Sequence, residues 1–285
     1  MASNIGAVLD EYGKLTHTRK ISPHQWSQYF KKEYKESEQP KASKEDLPEI
    51  SFKTPSRFKQ YLVFLKRDIL KKISDTQYMI INFLEAPLLA FLLAFIVKYY
   101  SVDVSNKFNY TLSENGNMPV YIFMSVIVAI FMGLSVSAEE IIKDKKILKR
   151  EKFLNLSRSS YLSAKIINIM LMSALQTFIF IIIANPVLGI KGMLIYYWFT
   201  LFSVAVCANL IGLIISSAFN SAVTIYILIP LVMIPMMVLS GAMFSFEKLN
   251  RSISSVNKVP LIADLMPTKW SYEALMVKQF KDNRF

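Results

Sequence analysis

The sequence predicts an all-α membrane protein, a polytopic helical bundle with five visible transmembrane helices behind an amphipathic interfacial helix. Three observations carry this. Hydrophobic residues make up 53% of the 285 and charged residues only 19%, against about a quarter in a soluble domain. The apolar residues collect in long runs almost free of charge, where a soluble core would alternate polar and apolar positions. Lysine and arginine gather between those runs, the segregation that bilayer insertion demands.

Residues 1–53 are polar, mixed in charge and broken by Pro23, Pro40 and Pro48, and read as a cytoplasmic linker, partly disordered. Within it Trp26, Tyr29 and Phe30 fall on one face of a short helix. Residues 54–75 read as an amphipathic connecting helix, with Thr54 as N-cap and Pro55 at the first helical position, where its missing N–H costs nothing. Phe58, Tyr61, Leu62, Leu65, Ile69 and Ile73 then recur at three- and four-residue spacing beside Lys59, Lys66, Arg67, Lys71 and Lys72. A helix of that pattern lies in the headgroup region of a cytoplasmic leaflet. The transmembrane domain, 76–243, holds spans at 79–97, 119–136, 166–183, 194–215 and 222–243, each near the roughly 20 apolar residues a crossing needs.

Orientation follows from the loop at 138–165, which carries Lys143, Lys145, Lys146, Lys149, Arg150, Lys152, Arg158 and Lys165. The positive-inside rule makes that loop and the basic N-terminal region cytoplasmic. The loops at 99–118 and 184–193 hold only Lys107 and Lys191 and fall outside. Residues 244–285 follow as an extracytoplasmic segment, in spite of Lys248, Arg251, Lys258, Lys269, Lys278, Lys281 and Arg284. The protein is therefore expected to be a multi-pass integral membrane protein with a cytoplasmic N-terminus, in the bacterial inner membrane.

Other function classes find little support. A net charge of +12 invites comparison with nucleic-acid binders, but the cations flank spans and no recognition helix or RNA-binding aromatic pattern accompanies them. His17 and His24 lack cysteines or a carboxylate-rich loop nearby, so no metal site is expected. Cys207 lies in an apolar run, where a lone thiol behaves as a small hydrophobe. The first ten residues lack the cationic start and apolar core of a signal peptide.

The 138–165 loop reads Asp144, Lys145, Lys146, Ile147, Leu148, Lys149, Arg150, Glu151, with Tyr161 and Lys165 before the third span. This segment resembles the coupling loop in the permease part of white-type, G-subfamily ABC exporters, a Glu-Arg pair, an aromatic and Arg-Glu, then a tyrosine and a basic residue. Asp144 and Lys145 occupy the first pair, Leu148 the aromatic position, and Arg150 and Glu151 match. After the fifth span, Pro267, Trp270, Tyr272, Glu273, Ala274 and Leu275 are similar to that family's Ser-Pro-x-x-Tyr-x-x-Glu-Ala-Leu stretch, and Ser240-Gly241 and the amphipathic helix fit the same arrangement. The resemblance covers roughly Arg57 to Phe280. It implies a type-2 permease, a sixth helix expected but absent after Phe285, and an ATPase domain preceding the permease. No G-x-x-x-x-G-K-[ST] phosphate loop occurs, so ATP and magnesium belong to a partner ATP-binding domain, on the same natural chain or a separate subunit. A homo- or heterodimer of permeases in the lipid bilayer is expected, without nucleic acid.

Charge on a short cytoplasmic helix offers handles by which an ATPase could push on two attached spans. Glu140, Asp144, Lys145, Arg150 and Glu151 are the candidate coupling residues, with Arg150 and Glu151 foremost; the alternative is that this charge only fixes topology. Glu85 is the sole acid within the spans and by default a functional candidate. Its position near the cytoplasmic interface favours a structural pair with Lys71 or Lys72 over a proton relay. Phe131, Asn209, Met233, Met236 and Met237 are candidates for an adaptable apolar substrate path, against plain packing. Gly212 and Ser216 form a small-x-x-x-small pair suited to close helix packing, and Pro230 and Pro235 bend the fifth span. No charged pocket is visible. The function implied is the permease component of an ATP-driven exporter, moving a hydrophobic or amphipathic substrate by alternating access. The alternative is a non-transporting polytopic membrane binding or assembly protein.

Overall fold

A computed structural model of the chain describes residues 7–9, 11–12, 15–19, 22–35, 55–98, 115–151, 156–250 and 259–282. Two compact units result, Met1–Thr54 and Pro55–Phe285. In the first, β1 (Ala7–Leu9) and β2 (Leu15–Arg19) pair antiparallel, a hairpin that no sequence signal had marked. The aromatic-bearing helix is α1 (Pro23–Lys35). A reciprocal capping box starts it: the Ser22 amide donates to Gln25 Oε1 at 3.0 Å and the Gln25 amide to Ser22 Oγ at 3.3 Å. Most of the linker reading at 36–53 lies outside the described residues.

The second unit is helical throughout its described residues. It opens with α2 (Arg57–Ser74). The N-cap is Ser56, whose hydroxyl accepts the Lys59 amide at 3.4 Å while Pro55 gives its carbonyl to the Gln60 side chain at 2.9 Å; Thr54, the expected cap, lies outside the described residues. Four-residue spacing turns Gln60, Phe64, Asp68 and Lys72 toward the protein, and Phe58, Leu62, Val63, Leu70 and Ile73 stay exposed. The helix thus buries a largely polar stripe and offers its apolar face outward, the inverse of a soluble surface helix and the arrangement a helix at a lipid interface needs.

Among the described residues four segments are long and apolar enough to cross a membrane: α3 (Thr76–Val97), α4 (Asn117–Ser137), α6 (Arg158–Leu188) and α7 (Leu194–Ala218). A two-residue turn leads from α4 into the charged α5 (Glu140–Glu151). α6 stops at Gly189, whose φ of +72° is open to glycine at little cost and lets the Ile190 amide close on the Asn185 carbonyl at 2.9 Å. α8 (Ala222–Val238) is shorter, 17 residues rather than the 22 that the run 222–243 proposed. Pro235 cannot donate to the preceding turn, and Gly241 at φ +79° redirects the chain.

The centre of the bundle is the α4–α7 pair, with Tyr121, Ile122, Ile130, Leu134, Tyr197 and Leu201 all buried. Two glycines permit its closeness. A Cβ on Gly133 would lie 2.6 Å from the Ala205 carbonyl oxygen, and one on Gly212 would collide with Ser137 Oγ. After α8 come α9 (Leu261–Asp264) and α10 (Pro267–Val277). α10 folds back against α4, α7 and α8: Tyr272 meets Phe123 edge-on at 6.2 Å, and the Thr268 hydroxyl donates to the Met236 carbonyl at 2.7 Å. α10 therefore packs onto the bundle end opposite α5.

Candidate functional site

The residues that carry the strongest chemistry meet where α2, α5 and α6 converge. α2 contributes Asp68, Lys71 and Lys72, α5 contributes Glu140 and Asp144, and α6 contributes Tyr161, Lys165 and Asn168. Lys165 is the hub. Its ammonium reaches Glu140 at 2.8 Å and Asp144 at 3.0 Å and pairs with Asp68. Asn168 donates its amide to the other Asp68 oxygen. Lys71 bonds Asp144 at 2.6 Å, and the Tyr161 hydroxyl donates to the second Asp144 oxygen at 3.1 Å. Lys72 lies 2.8 Å from Glu140, an ion pair by distance although the ammonium is not aligned as a hydrogen-bond donor.

Three acids face three lysines, so the cluster is neutral as a whole. That balance matters because Asp68, Lys72, Glu140, Asp144 and Lys165 are all at most 8% exposed. An unpaired charge at that depth would cost several kcal/mol. Burial opposes the charged form of Asp144, but Lys165 and Lys71 outweigh it and hold its carboxyl below the ordinary aspartate range. Asp144 is thereby held as the carboxylate, and the paired charges tie α2, α5 and α6 together.

Further ties extend the joint. Arg67 of α2 meets Glu151 at 2.9 and 3.1 Å, one guanidinium nitrogen against both carboxylate oxygens. Ser216 of α7 accepts the Ile141 and Ile142 amides at 3.1 and 3.2 Å, supplying from another helix the cap that α5 lacks in its own sequence. Lys145 donates to the Phe219 carbonyl at 2.6 Å and to Asn220 Oδ1 at 2.8 Å, in the turn between α7 and α8. α5 is thus fastened to α2, α6, α7 and the α7–α8 turn.

A family model described as ABC-2 type transporter matches residues 59–280. The chain belongs to the ABC-2 type transporter family. Comparison with curated proteins returns no match. As an ABC-2 permease domain the chain is an integral, multi-pass membrane protein and a transport component, in keeping with its apolar helices.

Within this ABC-2 permease the sequence-selected residues divide. Of the five coupling candidates, Glu140 and Asp144 are buried and ion-paired within the chain. Lys145 and Glu151 are tied to neighbouring elements as above. Arg150 is exposed and has no partner among the described residues. Glu85 does not pair with Lys71 or Lys72, which Asp144 and Glu140 engage instead. It lines a cavity of about 330 Å³ bounded by α3, the α4–α5 junction and α8, together with Asp75, Tyr78, Glu139, Lys143 and Tyr226. A charged pocket therefore exists where the sequence showed none.

The apolar-path candidates are not gathered around that cavity. Asn209 is completely buried and donates its amide to Ser173 Oγ at 2.8 Å, clamping α7 to α6. Met236 sits in the core under α10, Met233 and Met237 are half-buried, and Phe131 faces outward. Gly212 and Ser216 are used within the chain, one against Ser137 and the other at α5. Sequence reasoning missed Asp68 and Asn168. The available signal was that Asp68 is the one acid in α2, four residues from both Phe64 and Lys72.

Proposed function

We propose that this chain is the permease component of an ATP-driven exporter that moves a hydrophobic or amphipathic substrate by alternating access. ATP and magnesium are handled by a partner ATP-binding domain, and two permeases associate around the transport path. The observation that carries this reading is the fastening of α5: a short charged helix, projecting from the end of the bundle, is bonded to α2, α6, α7 and the α7–α8 turn. A push on such a helix displaces several spans together, which rigid-body switching between two access states requires. Family membership supplies the transport setting. The resemblance of the α5 segment to G-subfamily coupling loops and the positive-inside pattern support a cytoplasmic position for α5 and the N-terminus.

In this reading Arg150 is the contact offered to the ATPase domain, and Glu151, held by Arg67, is the brace behind it. Glu140, Asp144 and Lys145 transmit displacement to α6 and toward α8. Replacing Arg150 and Glu151 together by alanine, in the chain joined to its ATPase partner, is expected to lower substrate-stimulated ATP hydrolysis about fivefold or more. Full stimulation in that double variant, with the protein correctly folded, refutes the coupling role.

A further inference from the structure

Resting on the exporter reading, we propose that the cavity between α3, the α4–α5 junction and α8 binds the head of a cationic amphiphile, an alkylated ammonium ion with an apolar tail. Its volume of about 330 Å³ falls within the range of about 300–1,000 Å³ common to small-ligand sites. Four carboxylates line it: Asp75, Glu85, Glu139 and Glu140. Two are already neutralised, Glu139 by Lys143 at 2.6 Å and Glu140 by Lys72 and Lys165 at 2.8 Å each. Lys143, the cation in the lining, is thereby engaged. Asp75 caps α3 by accepting the Tyr78 amide at 3.0 Å and makes no ion pair among the described residues.

Glu85 is the centre of the proposed site. It stands on the same face of α3 as Tyr78 and Asn82, seven and three residues before it, and among the described residues no cation pairs with it. A carboxylate placed within a span without a partner is costly unless a counter-ion or water meets it. Two aromatic rings flank the space, Tyr78 from α3 and Tyr226 from α8, and the Tyr78 hydroxyl is buried without a hydrogen-bond partner. An aromatic lining beside a carboxylate favours an organic ammonium over a small hydrated cation, since a ring quadrupole attracts diffuse positive charge and does not compete for a tight oxygen shell; the Lys72 ammonium already lies 5.7 Å from the Tyr78 ring centroid, which leaves Tyr226 as the ring for the ligand. Ile81 and Val136 supply apolar lining for the first carbons of the tail, and Ile81 is exposed at the outer face of α3, where lipid lies beside a span. An anion would face a net negative wall, and a neutral amphiphile would leave Glu85 unpaired.

The test uses the purified full chain in a neutral maltoside detergent, with radiolabelled decyltrimethylammonium as probe and decyl sulfate as its anionic match, both in equilibrium dialysis. The expected result is saturable binding of the ammonium, weakened at least about tenfold in Glu85→Gln and kept in the exposed-site control Glu273→Gln, with no saturable binding of the sulfate. Equal binding of the two probes, or unchanged affinity in Glu85→Gln, overturns the proposal. Should Glu85→Gln fail to fold, the unmodified chain answers the question. A hydrophobic carbodiimide labels accessible carboxylates, and mass spectrometry of the peptide containing Glu85 is expected to show protection by the ammonium and none by the sulfate. Equal labelling with and without the ammonium overturns it. Neither arm involves ATP hydrolysis, so this site and the coupling role of α5 stand or fall separately.

Discussion

Asp68, Glu140 and Asp144 converge on one ammonium, that of Lys165, and the consequence is an asymmetry between buried and exposed pairs of the same helix. Lys165→Met leaves three buried acids facing only Lys71 and Lys72, and is expected to lower stability by about 3–5 kcal/mol, read by unfolding in mixed micelles. Lys143→Ala removes a pair with Glu139 whose lysine side chain is 50% exposed, and the same measurement is expected to change by at most about 1 kcal/mol. Equal losses in the two variants would show that Lys165 is not the hub. At this scale the sequence was partly legible. Asp144, Tyr161 and Lys165 were recognisable as one segment's motif, and they do meet. Asp68 and Asn168 were not, because nothing in a linear spacing announces that residues about a hundred positions apart will share a carboxylate. Glu85 was legible as unusual but its surroundings were not: the walls that the α4–α5 junction and α8 give its cavity are far from it in sequence.

The elements follow their local chemistry, with two instructive departures. α8 is five residues shorter than its apolar run: it runs on through Pro235 and ends at Val238, and Gly241 at positive φ then turns the chain, which hydropathy averages cannot register. α5 begins without a capping side chain of its own and borrows one from Ser216 of α7. The α4–α7 contact beneath it depends on Gly212, where a methyl group has no room beside Ser137. Gly212→Ala is therefore expected to force the two helices apart at the base of α5, costing about 1–3 kcal/mol in the same unfolding measurement. A neutral result would mean that Ser137 turns aside freely and that the close approach carries little. The small-residue pair was visible in the sequence as a packing device; that it serves α4 and α5 of the same chain was not.

For the whole molecule, the exporter reading requires α5 and the α6–α7 loop to face opposite sides of the membrane. With Cys207 replaced by serine, single cysteines at Lys146 and Lys191 are expected to react with a membrane-impermeant maleimide from opposite faces, Lys146→Cys from the interior and Lys191→Cys from outside. Labelling of both from one face would remove the orientation, and with it the contact proposed for Arg150. α10 gives the molecule its other asymmetry. It packs on the end of the bundle away from α5 through the Thr268–Met236 bond, and just beyond it Gln279 accepts a hydrogen bond from the Tyr197 hydroxyl.

By itself the sequence determined the apolar spans, the charged hairpin between the second and third, and the amphipathic helix before them. Those properties are set locally: transfer of a side chain to lipid and the energy of a helical turn depend on each residue and its near neighbours. Tertiary structure alone decided which charges neutralise one another, which way the polar stripe of α2 turns, and that Glu85 opens into a cavity. Each of those outcomes is a contest among groups far apart in the chain, and only the packed helices settle which of them come within reach.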